Sequence, residues 1–435
     1  MATVPATRLQ SIDFLRGVAA LAVVFLHVPH RGPNWGQPPD ALYWLFLPFD
    51  FGWLGVTLFI VLSGFCIHAN TLRDAADQPP DRFAVNWGRF WKRRFMRLYP
   101  PYLVVVLLSV LSLCLVYRSF GNEHSLVRRY FDASGPNWGY LLADVGTHIF
   151  MVHNLVAGFG MGLGNGPLWS LGMEEQLYAM YFGYLALRRR LPRWVVVLGV
   201  FLLSGLGWQF WMAWGPPELN LGWFALGDWG LWPLNYWFAW ILGSLAAEAY
   251  FGRLTLPTWC RSGWVGGTLL LVFIGTHPNT WQPLTGTAAP SVALTAGLGL
   301  TGTAAAAVRF AFVPVMQLLS PVACFILMNA AVAREVRHGP SAARSTRIFA
   351  YLGLFSYSLY LTHVPIITLS EKLFRFNYQF DLTTILMRYG VCVPLCVLGG
   401  WVFFQAVERH FLVRKPKPIM ATAAPAPAAA TRRAA

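Results

Sequence analysis

The chain has 435 residues, 56% of them hydrophobic and only 12% charged, against about 25% charged in a soluble domain, which excludes an ordinary water-soluble fold. The net charge of +15 comes from 33 Lys and Arg against 18 Asp and Glu; no basic run interleaves with aromatics as a nucleic-acid groove would, and arginines gathered in cytoplasmic loops account for the excess. The six cysteines sit mostly inside apolar runs without CxxC or Cys/His spacing, which suggests neither a disulfide framework nor a structural zinc site; no metal is expected.

In chain order, apolar runs fall at about 11–28, 51–70, 100–117, 168–187, 194–214, 224–247, 262–275, 290–308, 311–333, 349–369 and 384–407. The first follows Arg8 with no small-residue cleavage site behind it, so it reads as a permanent helix rather than a leader. Basic clusters at 82–97, 188–193, 253–261, 334–347 and 409–417 are expected on the cytoplasmic side, and two loops on one side are separated by an even number of crossings. Three runs lie between Arg261 and Arg334, so one of them is not a full crossing: either 262–275, which is short, or 290–308, which is rich in Gly, Ala and Thr. The sequence therefore predicts an all-α polytopic membrane protein of about ten transmembrane helices in one bundle, with both termini cytoplasmic and eleven spans as the alternative. Residues 118–166, with Asp132, Asp144, His148, His153 and Asn154, form the longest non-cytoplasmic segment. Residues 1–414 read as the membrane domain, and 415–435 as a disordered Pro/Ala-rich cytoplasmic tail.

Four stretches carry chemistry. In the first helix, Asp13, Arg16 and His27 interrupt an apolar run, although ionisable groups cost several kcal/mol in hydrocarbon and usually mark function there. Arg16 and His27 are about three turns apart on one face, separated by ~16 Å. Asp13, three residues before Arg16, is within pairing reach. His27 precedes Val28-Pro29, which places it near the outer helix end. A neutral imidazole there reads either as a general base on a hydroxyl or as a packing histidine bonded to a carbonyl.

The second stretch is Arg93-Arg94-Phe-Met-Arg97-Leu-Tyr99-Pro100-Pro101. Arg94 and Arg97 share a face, and forked guanidinium groups at a cytoplasmic mouth suit phosphate, though a positive-inside anchor would explain the charge too. The third is Trp169-Ser170-Leu-Gly-Met-Glu174-Glu175-Gln-Leu-Tyr178. Its start reads as an outer interface, and Glu174 shares a face with Ser170 and Tyr178, where it would orient His27, bind sugar hydroxyls, or simply complement the helix dipole. The fourth is Ser356-Tyr-Ser-Leu-Tyr360-Leu-Thr-His363-Val-Pro365, with Ser356, Tyr360 and His363 on one face and a second histidine before X-Pro. His27 and His363 at similar depth point to one shared site. Glu408, ending the last run, reads as a structural partner for an arginine.

Together with Phe59-Ile-Val-Leu-Ser63-Gly-Phe65, these segments resemble the membrane-bound acyltransferase 3 family from about residue 8 to about residue 411. Departures are small: Phe14 stands where Gly is common, and Arg409-His-Phe where Lys-Pro-Phe is common. The resemblance implies transfer of an acyl group, often acetyl, from cytoplasmic acyl-CoA to a hydroxyl of a glycan or other exported molecule, in a bacterial cytoplasmic membrane. It implies His27 as the central catalytic residue with Glu174 assisting, and Arg16, Arg94 and Arg97 as important. With Tyr99, these cations would hold the CoA phosphates; Asp13, Ser63, Trp169, Tyr178, Tyr360 and His363 would support the substrates. Direct transfer and an acyl-histidine intermediate both stay open, as does oligomeric state. The expected partners are the lipid bilayer and the acceptor, with no nucleic acid. The rival reading is a transporter or flippase of an anionic or sugar substrate, which intramembrane Arg, His and Glu would serve equally well.

Overall fold

The computed structural model describes residues 8–30, 41–75, 85–120, 128–132, 135–214, 219–220, 225–226, 229–286, 290–376 and 381–412. Fifteen α-helices occupy most of them: α1 (Gln10–His27), α2 (Ala41–Asp50), α3 (Leu54–Asp74), α4 (Trp87–Phe120), α5 (Trp138–Ile149), α6 (Trp169–Arg188), α7 (Arg193–Trp214), α8 (Pro233–Tyr250), α9 (Gly263–Thr276), α10 (Pro278–Thr285), α11 (Pro290–Gly297), α12 (Gly302–His338), α13 (Arg344–Leu354), α14 (Ser356–Leu373) and α15 (Leu382–Ala406). Two two-residue antiparallel pairs, 131–132 with 135–136 and 219–220 with 225–226, are the β-structure among the described residues.

The surface is apolar where a soluble protein would be polar. On α4, Leu107, Leu111 and Leu115 are exposed in an i, i+4, i+8 stripe, as are Leu198, Leu202 and Leu206 on α7, so these faces are built to meet lipid tails. Five stretches among the described residues are long and apolar enough to cross a membrane: α1, residues 41–74, α4, α12, and α15 with its extension to 410. A sixth would be α13 and α14 taken together, bent by 76°. That falls short of ten by length and apolarity alone. The reason is visible in α6, whose 20 residues include Glu174, Glu175 and Gln176; side chains that line a site lower the mean hydropathy of the helix carrying them.

Three runs differ from the sequence reading. The helix expected over 100–117 begins at Trp87 and runs through Pro100 and Pro101, so the arginine motif, whose Arg94 and Arg97 were expected on one helix face, is continuous with the apolar run. The run 290–308 is not one helix: α11 stops at Gly297, and the chain turns through Gly299 and Gly302, both with φ near +60° (64° and 57°), a region glycine enters without a Cβ clash. The run 349–369 breaks at Phe355 into α13 and α14. The tail 415–435 lies outside the described residues.

Two glycine-mediated crossings hold the site helices together. A methyl on Gly17 would sit 2.0 Å from the Phe349 carbonyl oxygen, and one on Gly353 would sit 1.9 Å from that of Asp13, so α1 and α13 touch backbone to backbone. Gly64 and Gly243 do the same for α3 and α8, against the carbonyls of Trp240 and Val61. Apolar burial gives little drive between helices in lipid, and close approach at small residues replaces it with van der Waals contact. Gly17 and Gly64 directly follow Arg16 and Ser63 in the chain, and their part is to bring these two residues to the interior.

Candidate active site

Six helices, α1, α3, α4, α6, α13 and α14, converge on one cavity of about 110 Å³. Arg16 enters from α1, Ser63 and Cys66 from α3, Arg94 and Arg97 from α4, Glu174 and Tyr178 from α6, and Ser356, Tyr357 and Tyr360 from α14, with Glu408 closing it after α15. Three guanidinium groups thus face two carboxylates, which leaves a net positive lining.

The i, i+4 spacing in α6 works as expected. The Tyr178 hydroxyl donates to Glu174, Ser63 Oγ donates to the Tyr178 oxygen at 3.4 Å, and the Arg94 guanidinium lies 5.7 Å from the centre of the Tyr178 ring, within cation–π range. Arg16 reaches Cys66 Sγ at 3.6 Å. One turn earlier on α6, Ser170 Oγ lies 2.6 Å from the Tyr360 hydroxyl, and both reach the Pro167 carbonyl. Tyr357 donates to the Leu98 carbonyl at 2.8 Å, fastening α14 to the arginine motif. Glu408 accepts from Ser358 N–H at 3.2 Å and from Ser358 Oγ at 2.5 Å, so it caps the start of α14, where the helix dipole favours a carboxylate. This contact spans 50 residues of sequence and no local pattern announces it.

Beyond Tyr360 stands a histidine pair. His363, one turn further along α14, has its ring 5.7 Å from that of Tyr360 and 4.9 Å from that of His27. His27 is the last residue of α1, which ends because Val28 is extended (φ −71°, ψ 121°) ahead of Pro29. His27 Nδ1 lies 2.8 Å from the Val23 carbonyl oxygen. A carbonyl only accepts, so Nδ1 carries the proton and Nε2 keeps the lone pair. His363 Nδ1 lies 2.6 Å from the Tyr360 carbonyl and donates by the same logic, leaving His363 Nε2 as an acceptor 3.3 Å from His27 Nδ1.

The expected site residues divide. Arg16, Arg94, Arg97, Ser63, Glu174, Tyr178 and Tyr360 share the cavity, and His27 and His363 meet beside it. Glu174 lies with the arginines, its carboxylate on Tyr178 rather than on His27, because the helical face it shares with Tyr178 points to the cavity. Asp13 pairs with Arg8 at 2.6 Å; Arg16, although three residues away, turns into the cavity instead. Tyr99 lies outside the lining: its hydroxyl donates to the Ile149 carbonyl at 2.7 Å and its ring stacks on Phe95, so it ties α4 to α5. Trp169 packs on Tyr236, with ring centres 5.6 Å apart, away from the cavity. Glu408, read as an arginine partner, does share the cavity with Arg16 and Arg97, and its hydrogen bonds go to Ser358. Cys66 and Tyr357 went unnoticed in the sequence because neither residue type is unusual in an apolar helix.

A second buried polar cluster lies in the segment leading to α6. Asp144, His148, His153 and Asn154 are all fully buried. The two imidazoles stack at 3.8 Å, and Asp144 Oδ2 accepts from the Tyr130 hydroxyl at 2.6 Å and the Leu163 N–H at 3.2 Å. Asn154 and Gln176 exchange side-chain hydrogen bonds at 3.0 and 2.8 Å. The cluster clamps this segment against α6 and therefore sets where Glu174 sits. Among the described residues, no group of three or more His, Cys, Asp or Glu is disposed to hold a metal ion.

A family model described as an acyltransferase domain matches residues 9–405. The peptidoglycan O-acetyltransferase OatA of Listeria monocytogenes is 25% identical over 445 residues, covering 94% of this chain and 59% of the relative. A protein of Rhizobium radiobacter named as protein 2 in the picA locus is 30% identical over 206 residues, 46% of this chain and 94% of that one. The chain thus spans about three-fifths of the Listeria protein's length. No solved structure matches. The family model covers nearly the whole chain, including every helix that lines the cavity, and on that ground the chain belongs to the acyltransferase 3 family.

Proposed function

We propose that this protein is an integral membrane O-acyltransferase that moves an acyl group, acetyl first among candidates, from cytoplasmic acyl-CoA to a hydroxyl of a glycan or other exported molecule. The observation that carries this reading is the junction of an arginine-lined cavity with the His27–His363 pair, one turn of α14 apart. The name of the Listeria relative, a peptidoglycan O-acetyltransferase, supports a glycan acceptor.

In this reading α6, α7, α8, α9 and α14 cross the membrane together with α1, α3, α4, α12 and α15. That makes ten spans, with both termini and every basic cluster on the cytoplasmic side of a bacterial inner membrane. Arg16, Arg94 and Arg97 attract the phosphates of the donor toward the mouth, and the cavity behind them takes its thiol-bearing arm. His27 Nε2 takes the proton of the acceptor hydroxyl as its oxygen attacks the thioester carbonyl carbon. The C–S bond breaks, the ester forms, and the departing thiolate collects the proton from His27. The imidazolium formed in between keeps its Nδ1–H facing both the Val23 carbonyl and His363 Nε2, two acceptors already in place. Glu174 and Tyr178 hold the arginine end of the cavity in shape.

Inside-out membrane vesicles supplied with acetyl-labelled acetyl-CoA and a glycan acceptor test this. Label on the acceptor, lost in a His27→Ala variant, is expected. Acceptor crossing the membrane without gaining label would instead establish the transporter reading.

A further inference from the structure

A second cationic feature lies apart from the cavity and shares no residue with it. Where α9 begins and α12 ends, Arg261, Arg334, Arg337 and His338 surround a recess of about 520 Å³, with small residues such as Gly263 and Ala330 leaving its floor open. No acidic side chain lines it among the described residues. The acid of the same turn, Glu335, is committed elsewhere, its two oxygens accepting the Gln10 and Ser11 N–H groups at 2.8 and 2.7 Å. Arg334 and Arg337 are three apart and share a helix face; Arg337 spends only its Nε, on the Ala333 carbonyl at 3.2 Å, so both of its terminal nitrogens remain for a ligand.

The surroundings name the ligand class. Trp264, beside Gly263, is 89% exposed, and Trp259, two residues before Arg261, is 52% exposed. Exposed indoles at a helix end belong at headgroup level, where one part of the ring is wet and the other meets acyl chains. A basic recess between two helices, with exposed tryptophans next to Gly263 and two residues before Arg261 in the chain, has the chemistry of a phosphodiester on a lipid rather than of a free anion. We propose that this recess binds the headgroup of an anionic phospholipid, with Arg261, Arg334 and Arg337 on the phosphate and Trp264 against the glycerol and upper acyl chain. This rests on the recess alone and stands whether or not the acyltransfer reading does.

Native mass spectrometry of the purified full-length protein with phosphatidylglycerol or phosphatidylcholine tests it. Wild-type protein is expected to retain phosphatidylglycerol about tenfold better than phosphatidylcholine. R261Q/R334Q/R337Q should bring the two lipids level while its circular dichroism stays helical. Should the triple variant fail to fold, R334Q alone is expected to lower phosphatidylglycerol retention about threefold. Undiminished retention in whichever folded variant is used overturns the proposal. So does displacement of the lipid by millimolar inorganic phosphate or by free CoA, since either would make this a site for a soluble anion.

Discussion

His363 Nε2 lies 3.3 Å from His27 Nδ1, the nitrogen that also faces the Val23 carbonyl at 2.8 Å. The pair fixes which nitrogen of His27 is basic and supplies an acceptor for the proton-bearing side. His27→Ala is therefore expected to abolish label transfer to the acceptor while membrane insertion is kept. Turnover like the wild type's in this variant would remove His27 from the mechanism.

His363 touches no reacting atom in this scheme and acts as a positioning residue. His363→Ala should lower kcat by roughly tenfold to a hundredfold, as expected when a general base loses its orientation, with the KM for the acyl donor near its normal value. His363→Gln, which keeps an acceptor near the same place, should recover part of the loss. A change confined to KM would show that His363 binds donor instead.

Arg97→Ala should weaken donor use by about tenfold or more, the scale of a lost charge-assisted hydrogen bond. The change should appear as a raised KM for acyl-CoA with a smaller effect on the acceptor's. Titrating CoA as a competitor gives the same answer independently; an unaltered inhibition constant would assign Arg97 to the architecture of the cavity.

The α1–α13 crossing leaves no room at Gly353, where a Cβ would meet the Asp13 carbonyl oxygen at 1.9 Å. Gly353→Ala should destabilise by about 1–3 kcal/mol, the usual cost of overpacking, seen as a lower midpoint of thermal aggregation in detergent. Gly267, where nothing lies within 4 Å of a Cβ, is the control: Gly267→Ala should be neutral or slightly stabilising.

Asp144→Asn puts an amide where a carboxylate now accepts from Tyr130 and Leu163 and lies 2.9 Å from His148. Loss of this fully buried hydrogen-bond acceptor should cost about 1–3 kcal/mol and loosen the segment ahead of α6. Hydrogen exchange across 150–168 checks it: protection unchanged from wild type would show that the clamp is not where this segment gets its order.

Much of the fold was legible because composition and run length report directly on solvent. A chain this apolar, with arginines bunched between its runs, has few alternatives to a helical bundle in lipid. Helix boundaries were less legible. The break at Phe355 leaves no trace in hydropathy, since α13 and α14 together read as one apolar run, and Pro100–Pro101 looked like a helix start although α4 passes straight through.

The sequence by itself set the residue types that chemistry needs and which of them share a helix face: Ser170, Glu174 and Tyr178 on α6, Ser356, Tyr360 and His363 on α14, and Arg16 three turns from His27 on α1. Those relations depend only on the 3.6-residue period, which is local. Partners across helices were decided by tertiary structure alone. The spacing that allowed Asp13 to pair with Arg16 was overruled when the Gly17–Phe349 and Gly353–Asp13 contacts turned Arg16 into the cavity and left Asp13 to Arg8. Glu174 went to the arginines rather than to His27, Tyr99 to the Ile149 carbonyl, and Glu408 to Ser358. Each outcome turns on the rotation and depth of one helix against another, set by close packing of side chains far apart in the chain, and no local periodicity encodes them.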